Sequence, residues 1–335
     1  IAETKVRTTT DLYFRERAPV RVGTVRLDAG PSVICHVHGD VGDGADVRMA
    51  IKLDRAGQGV MMALPVEETP FMEDDPRLRE MSCTPKHRRI LVTDARNPNT
   101  PAIVSALKSA GAETVFVGIS EDWRPNRYHD EIMAVPGVEM LPLDVTDGKS
   151  VAELAAELGG KTDILINNAR YVRPGGLMTR SDTVFAQSEM NVNYLGLMRL
   201  AQAFGPAMCA RTGDGTNSAV AWVNILSAYA IANFPDYGCF SASNAAALSL
   251  SQNMRADFRT SGLRVLNVFV GPTDDDWHQE LPPPKVPAHT LAGSLVQGLA
   301  DGLEDVYCGD VAKDMIERFR ASPKIQEREM TGFRS

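Results

Sequence analysis

From Arg89 onward the chain alternates short, wholly apolar runs with longer amphipathic stretches, and few folds accept that pattern. Ile90-Leu91-Val92 comes first, followed by a helix-compatible stretch from Thr100 to Ala110. Thr114-Val115-Phe116-Val117 and Val138 to Leu143 are the next two strand candidates. Ile164-Leu165-Ile166, Val220 to Ile225 and Val265 to Val270 follow, with the long amphipathic segments Thr183–Cys209 and Phe240–Ser261 between them. A strand that is apolar at every position is buried on both faces, as in a sheet covered by helices on either side. The pattern predicts an α/β fold built on a doubly wound parallel sheet.

The residues before Glu73 follow a different rule. Val47, Met49, Ile51 and Leu53 alternate with Arg48, Ala50, Lys52 and Asp54, and Val33, Cys35 and Val37 alternate with Ile34, His36 and His38. Arg21–Asp28 and Gly59–Val66 repeat the period of two, with glycine-rich breaks such as 40–44 between runs. This predicts a small antiparallel β-rich unit over 1–72 with one face covered. A core of that size is marginal and leans on the larger domain or on a partner chain. Met49, Met61, Met62 and Met72 read as its core or interface filler. The charged stretch 73–88 reads as a linker with room for a helix in its middle. The larger domain is expected over 89–312, and 313–335 as a helical tail.

Composition removes several function classes. The chain has 335 residues, with 35 Lys and Arg against 43 Asp and Glu, a net charge of −8. Nucleic acid and membrane surfaces are unsuitable partners, because both need a basic footprint. No run approaches the ~20 apolar residues that span a bilayer. Ile1 to Thr10 lack the apolar core of a signal peptide, and the missing initiator Met implies trimming. Cys35, Cys83, Cys209, Cys239 and Cys308 form no Cys-x-x-Cys pair, which fits free thiols in a reducing cytoplasm. His36 and His38 share a strand face with Asp40, but two ligands alone make a poor site, so they read as solvent-facing and no metal is expected.

Six motifs after Arg89 then fall in a telling order. They are Leu141-Pro142-Leu143-Asp144-Val145-Thr146, Asp163-Ile164-Leu165-Ile166-Asn167-Asn168-Ala169 and Asn191-Val192-Asn193-Tyr194-Leu195-Gly196. Val223-Asn224-Ile225-Leu226-Ser227, Phe240-Ser241-Ala242-Ser243-Asn244-Ala245-Ala246 and Gly271-Pro272 complete the set. Together they resemble the short-chain dehydrogenases/reductases over roughly Arg89 to Asp310, with a Rossmann-like fold implied. The N-terminal unit lies outside that pattern.

The resemblance implies a site of four groups, a Tyr, a Lys four residues later, a Ser thirteen before the Tyr and an Asn on an earlier helix. Ser227 and Asn193 fit the last two. Phe240 stands in the Tyr position and Asn244 in the Lys position. A phenyl ring moves no proton, and losing acid–base catalysis costs about 10²–10⁴ in rate. Tyr237 and Tyr229 are nearby and read as ordinary loop or pocket aromatics. Asp274-Asp275-Asp276 follow Gly271-Pro272 and read as a solvated loop, since adjacent carboxylates repel. Leu281 to Pro287 reads as a stiff connector.

The cofactor loop departs from the family as well. Where the family has Thr-Gly-x-x-x-Gly-x-Gly, this chain has Thr93-Asp94-Ala95-Arg96-Asn97-Pro98-Asn99-Thr100. Asp94 sets a negative charge where a pyrophosphate would lie, Pro98 removes an N–H, and Thr100 is branched where close packing is needed. Arg96 partly offsets Asp94. Arg170 replaces the small residue after Asn167-Asn168-Ala169. Asp144 and Val145 match the adenine-contacting pair, and with Asn167 and Arg96 they are the candidate cofactor contacts. The expectation is no bound cofactor, with NAD(P) kept as the second possibility.

These readings add up to a catalytically degenerate family member, a structural or regulatory subunit of a hetero-oligomer with an active paralogue. The contact would run through helices 183–209 and 240–261, by way of Met190, Leu195, Leu197 and Leu200 on one and Ala247, Leu248 and Leu250 on the other. The alternative is an enzyme of altered chemistry, with Ser227 and Asn193 holding a carbonyl and Tyr237 or Asp275 as acid or base. An NAD(P)-dependent oxidoreductase acting on a carbonyl or alcohol is the remaining reading.

Overall fold

The computed structural model describes residues 2–6, 20–53, 59–67, 72, 75–81, 83–121, 123–211 and 219–332. Its N-terminal sheet has five strands, β1 (Ala2–Val6), β2 (Val20–Arg26), β3 (Ser32–Val37), β4 (Val47–Leu53) and β5 (Gly59–Pro65). Their order is β1-β2-β3-β5-β4. The expected purely antiparallel unit is not what forms. β4 pairs antiparallel with β5 along its whole length at the sheet edge, which returns the chain so that β5 lies parallel to β3 at His36–Met62 and Val37–Ala63. Nor is only one face covered. Val25, Cys35, Val37 and Ala63 are buried on one side, and Met62 and Leu64 on the other, against Leu78 and Met81 of α1 (Pro76–Met81).

Asp75 starts α1 by accepting the N–H groups of Arg77 and Leu78 at 2.8 and 3.0 Å, satisfying donors that a helix start leaves open. Beyond it, Cys83 donates its N–H to the Leu299 carbonyl at 2.9 Å and its thiol to the Val220 carbonyl at 3.4 Å. Asp75 Oδ2 also accepts the Gly39 N–H at 2.7 Å, so the described part of this stretch is tied to the small sheet at Asp75 and to the large domain at Cys83. His38 is buried rather than solvent-facing, because its ring closes two backbone bonds. Nδ1 accepts the Asp40 N–H at 3.1 Å, which leaves Nε2–H to donate to the Met72 carbonyl at 2.9 Å. Among the described residues no three His, Cys, Asp or Glu side chains gather closely enough to hold a metal.

The large sheet has seven parallel strands. In chain order the elements are β6 (Arg89–Val92), α2 (Thr100–Ser109), β7 (Thr114–Ile119), α3 (His129–Met133), β8 (Val138–Pro142), α4 (Gly148–Leu158) and β9 (Ile164–Asn167). Then come α5 (Val184–Met190), which continues through a π-helical stretch (Asn191–Gly196) into α6 (Leu197–Arg211), and β10 (Ala221–Ser227). The remainder is α7 (Gly238–Phe258), β11 (Arg264–Val270), α8 (Ala288–Asp301), β12 (Asp305–Cys308), α9 (Gly309–Ala321) and α10 (Pro323–Met330). The spatial order is β12-β11-β10-β9-β6-β7-β8.

Ile103 and Leu107 of α2 and Leu291 and Leu295 of α8 cover one face, while Leu154, Phe204, Ala247 and Met254 of α4, α6 and α7 cover the other. This is the doubly wound architecture. The strand order reverses between β6 and β9, so a crevice opens there beyond the carboxyl ends of the strands. The division at 312 falls inside α9, whose Ala312 and Met315 pack in the cluster that holds Phe240. Among the described residues no helix is long and apolar enough to cross a membrane.

Candidate functional site

The β6–α2 loop forms one wall of the crevice, and the N–H groups of Asp94, Ala95, Arg96, Asn99 and Thr100 are engaged with the chain itself. Asp94 N–H donates to Asn168 Oδ1 at 2.8 Å and Ala95 N–H to the Gly118 carbonyl at 2.7 Å. Arg96 N–H donates to Asp94 Oδ1 at 2.8 Å. Asn99 N–H takes Asn97 Oδ1 and Thr100 N–H the Asn97 carbonyl, both at 3.0 Å. Thr100 Oγ1 in turn donates to the Asp94 carbonyl at 2.6 Å. The carboxylate therefore takes the place of an external anion at a helix start that otherwise attracts one. Burial pushes the Asp94 carboxyl up to about 6, against the pull of the Arg96 N–H and of the Arg96 and Arg170 charges.

Arg96 lines the crevice as well. Its guanidinium donates to the carbonyls of Ser120, Pro125, Glu121 and Arg124, at 2.7 to 3.1 Å. These bonds stitch the loop after β6 to the loop after β7. Asn167 is likewise structural, accepting Thr93 Oγ1–H at 3.1 Å. Asp144 and Val145 do line the crevice. Asp144 Oδ1 accepts the Thr146 N–H and hydroxyl at 2.8 and 2.7 Å.

At the reaction centre the structure brings Ser227 and Phe240 to one small cavity. Asn244 occupies the Lys position as an amide clamp, accepting the Ser227 N–H at 2.9 Å and donating to the Phe240 carbonyl at 2.9 Å. Ser227 Oγ caps the turn that follows by accepting the Tyr229 N–H at 3.1 Å. Asn193, set by the π-helical stretch, stands apart from this cavity. It fixes the 169–172 segment by accepting the Tyr171 N–H at 2.8 Å and donating to the Tyr171 carbonyl and Ser243 Oγ, both at 2.9 Å. Tyr237 gives its hydroxyl proton to the Trp277 carbonyl at 2.7 Å, and burial raises it above the usual phenol range. Burial raises Tyr229 further still.

The loop after β11 holds what the residues alone did not disclose. Asp274 and Asp276 are exposed, Asp276 facing Arg127 at 3.1 Å, but Asp275 is not solvated as expected. It is buried, because Arg170 balances its charge and Thr273 and His278 bond to it. Arg170 Nη2 donates to Asp275 Oδ2 at 2.5 Å, Thr273 Oγ1 donates to the same oxygen at 2.6 Å, and His278 Nδ1 lies 2.9 Å from Oδ1. Burial opposes its charge, yet the His278 bond and the Arg170 charge hold it well below the usual carboxylate range. Arg170 also donates to Thr273 Oγ1 at 3.2 Å. His278 was not singled out from the sequence, although its place three residues after Asp275, in a short turn, puts both on one side. Arg173 sits over the Trp277 ring at 3.9 Å and over Tyr171 at 4.4 Å, at the mouth of the crevice.

Two cavities result. The larger, about 270 Å³, runs from Asp94 and Arg96 past Ser120 and Leu143 to Asp144, Val145 and Val192. The smaller, about 20 Å³, lies between Ser227, Phe240, Arg170 and His278. A doubly wound sheet with such a crevice at its switch point defines the doubly wound α/β class of protein. Residues 88–285 match the family model for short chain dehydrogenase. A short-chain dehydrogenase of Penicillium ochrochloron is 29% identical over 197 residues, 53% of this chain and 68% of that protein. Dehydrogenase/reductase SDR family member 6 of Rattus norvegicus is 28% identical over 192 residues, 57% of this chain and 73% of that protein. The crystal structure of a short chain dehydrogenase from Burkholderia cenocepacia J2315 in complex with NADP matches with a TM-score of 0.66 at 27% identity, covering 74% of this chain and 98% of that one. The chain belongs to the short-chain dehydrogenase family.

Proposed function

We propose that this chain is a catalytically silent member of the family, a structural or regulatory subunit of a hetero-oligomer whose partner is an active relative. The observation that carries the reading is Arg170, which reaches across the reaction centre to Thr273 and Asp275. The space left beside Ser227 and Phe240 is about 20 Å³, enough for one water molecule and no ring. The Burkholderia relative makes NAD(P) a candidate ligand here too, but the residues present do not fit a whole dinucleotide, since the β6–α2 loop offers the N–H groups of Asp94, Ala95, Arg96, Asn99 and Thr100 to acceptors within the chain. Phe240 has no proton to give, and the Tyr237 proton is committed to the Trp277 carbonyl.

The partner half of the proposal rests on less than the sequence suggested. Leu197, Leu200 and Ala247 are buried in this chain's own core and cannot form an interface. Val184, Phe185 and Leu195 remain exposed along α5 and the π-helical stretch, and these are the contacts proposed for a partner. The isolated chain, given NADH or NADPH with ketones and aldehydes, and NAD⁺ or NADP⁺ with alcohols, is expected to show no change in nicotinamide absorbance above buffer. Sustained turnover overturns the reading. Purified at native expression level, the chain is expected to bring down a second family member at fixed stoichiometry; a homo-oligomer alone removes the partner claim.

His278 favours a second reading. Its ring is braced by Asp275 and lines the same cavity as Ser227, so an Asp–His dyad could stand in for the lost Tyr and Lys. On that reading turnover is present in the assay above and His278→Gln removes it while leaving the melting curve in place.

A further inference from the structure

The small sheet ends in an open strand. β4 pairs with β5 along all seven of its residues, from Val47 opposite Pro65 to Leu53 opposite Gly59, and among the described residues no strand pairs with its other side. Alternate residues of such an edge turn their N–H and C=O groups outward, where a further strand can take them. Edges in folded proteins are kept short, bulged, broken by proline or guarded by charge. β4 has no proline, and its register against β5 is unbroken. Its charged residues, Arg48 and Lys52, share one face with Ala50, while Val47, Met49 and Ile51 share the other. Ile51 is 76% exposed and Met61, directly across from it on β5, 39%, so the apolar face runs uncovered to the edge at that end.

A second copy of β4 fits this edge in a definite register. Antiparallel pairing about a two-fold axis at Met49 sets each residue against the one equally far on the other side of that position in the second copy. On one face Val47 then meets Ile51 of the second copy, Met49 meets its own counterpart, and Ile51 meets Val47. On the other face Asp46, exposed just before β4, meets Lys52 of the second copy, and Lys52 meets Asp46. Arg48 falls opposite Ala50. Apolar pairs and opposite charges set directly across a ladder stabilise it, and like charges oppose it. The lysine that would guard the edge against a foreign strand is thus matched by a carboxylate of its own kind of chain. Pairing about Ala50 instead sets Arg48 against Lys52 twice and is disfavoured.

We propose that β4 is a self-pairing edge, through which two copies of this chain join their five-stranded N-terminal sheets into one continuous sheet held by the Asp46–Lys52 pairs and the strip of Val47, Met49 and Ile51. A contact of one strand pair is small beside the ~1,200–2,000 Å² of stable interfaces, so the dimer is weak and depends on concentration. It uses no residue of α5, of the crevice or of the reaction centre, and therefore goes beyond the silent-subunit reading without resting on it.

Sedimentation velocity of the full chain, at concentrations up to about 200 μM, tests this. The natural chain is expected to self-associate as concentration rises. Lys52→Asp sets carboxylate against carboxylate and Asp46→Lys sets ammonium against ammonium, so each is expected to weaken association at least about tenfold. The double variant Asp46→Lys, Lys52→Asp exchanges the charges and is expected to bring association back to within about threefold of the natural chain. A chain that stays monomeric throughout overturns the proposal. So does association that the single variants leave unchanged, or that the double variant fails to restore. Asp46 is exposed and Lys52 half-buried, so the melting curves are expected to stay in place. If one single variant does not fold, the other carries the same comparison, and amide exchange along β4 of the natural chain must slow as concentration rises. The silent-subunit reading turns on hydride transfer and on a second family member, so its failure and this one are distinguishable.

Discussion

At the scale of single residues, Asp94 and Arg170 each put a charge where the family keeps a small residue, and each is held from within, Asp94 by the Arg96 N–H and Arg170 by Asp275. Asp94 does so at a cost. Its carboxyl is raised by burial from 3.8 to about 6, so between those values the folded chain holds a proton that the unfolded chain has lost. Stability from this group is therefore complete below about pH 4 and is lost as pH rises through 6. A shift of that size amounts to about 3 kcal/mol. Asp94→Asn is expected to be more stable than the natural chain by up to that amount at pH 8 and to match it near pH 4, read by urea denaturation at both values. A difference that is the same at both pH values would rule out burial of charge as its source.

Elements show why some of this was readable in advance and some not. β6, β9 and β11 could be seen in the sequence because burial on both faces demands unbroken apolar runs. β12 could not, since Asp305, Val306 and Tyr307 are only half-buried at the sheet edge. The same division runs through the site. The loss of the Tyr and Lys at Phe240 and Asn244 showed through fixed local spacing, whereas the Arg170–Asp275 bridge joins residues 105 positions apart that only the folded sheet brings together. β7 carries a tight point of its own. A Cβ on Gly118 would stand 2.6 Å from Leu143 Cδ2 and 2.7 Å from the Thr93 carbonyl. The end of the leucine can turn aside, but its Cβ, 2.8 Å away, and the carbonyl cannot be relieved by rotating a side chain. Gly118→Ala is expected to cost roughly 1–3 kcal/mol, as overpacking does, with a lowered melting temperature as the measure. An unchanged melt would mean that β6 and β7 can separate locally.

Over the whole molecule, the apolar clusters of the N-terminal sheet are distinct from those on either side of the large sheet. Among the described residues, the two bodies meet near α1 at the Cys83 bonds to Leu299 and Val220 and at the close approach of the Met81 carbonyl to Gly302, where an added Cβ would lie 2.8 Å away. Gly302 also has φ of 64°, so the position resists any side chain twice over. Leu78 lies at the centre of the cluster that fastens the small sheet to α1, with Met62, Leu64, Met72 and Met81 around it. Leu78→Ala removes most of a fully buried side chain, worth roughly 2–5 kcal/mol. Since the large sheet keeps its own two cores, that loss should fall on β2 to β5 and leave β6, β9 and β10 alone. Hydrogen exchange is the direct measure, with amide protection expected to drop in the small sheet only. Equal loss in both sheets would show that the junction couples them into one cooperative unit, and the N-terminal sheet would then be part of the dehydrogenase fold's stability rather than a body fastened to its side.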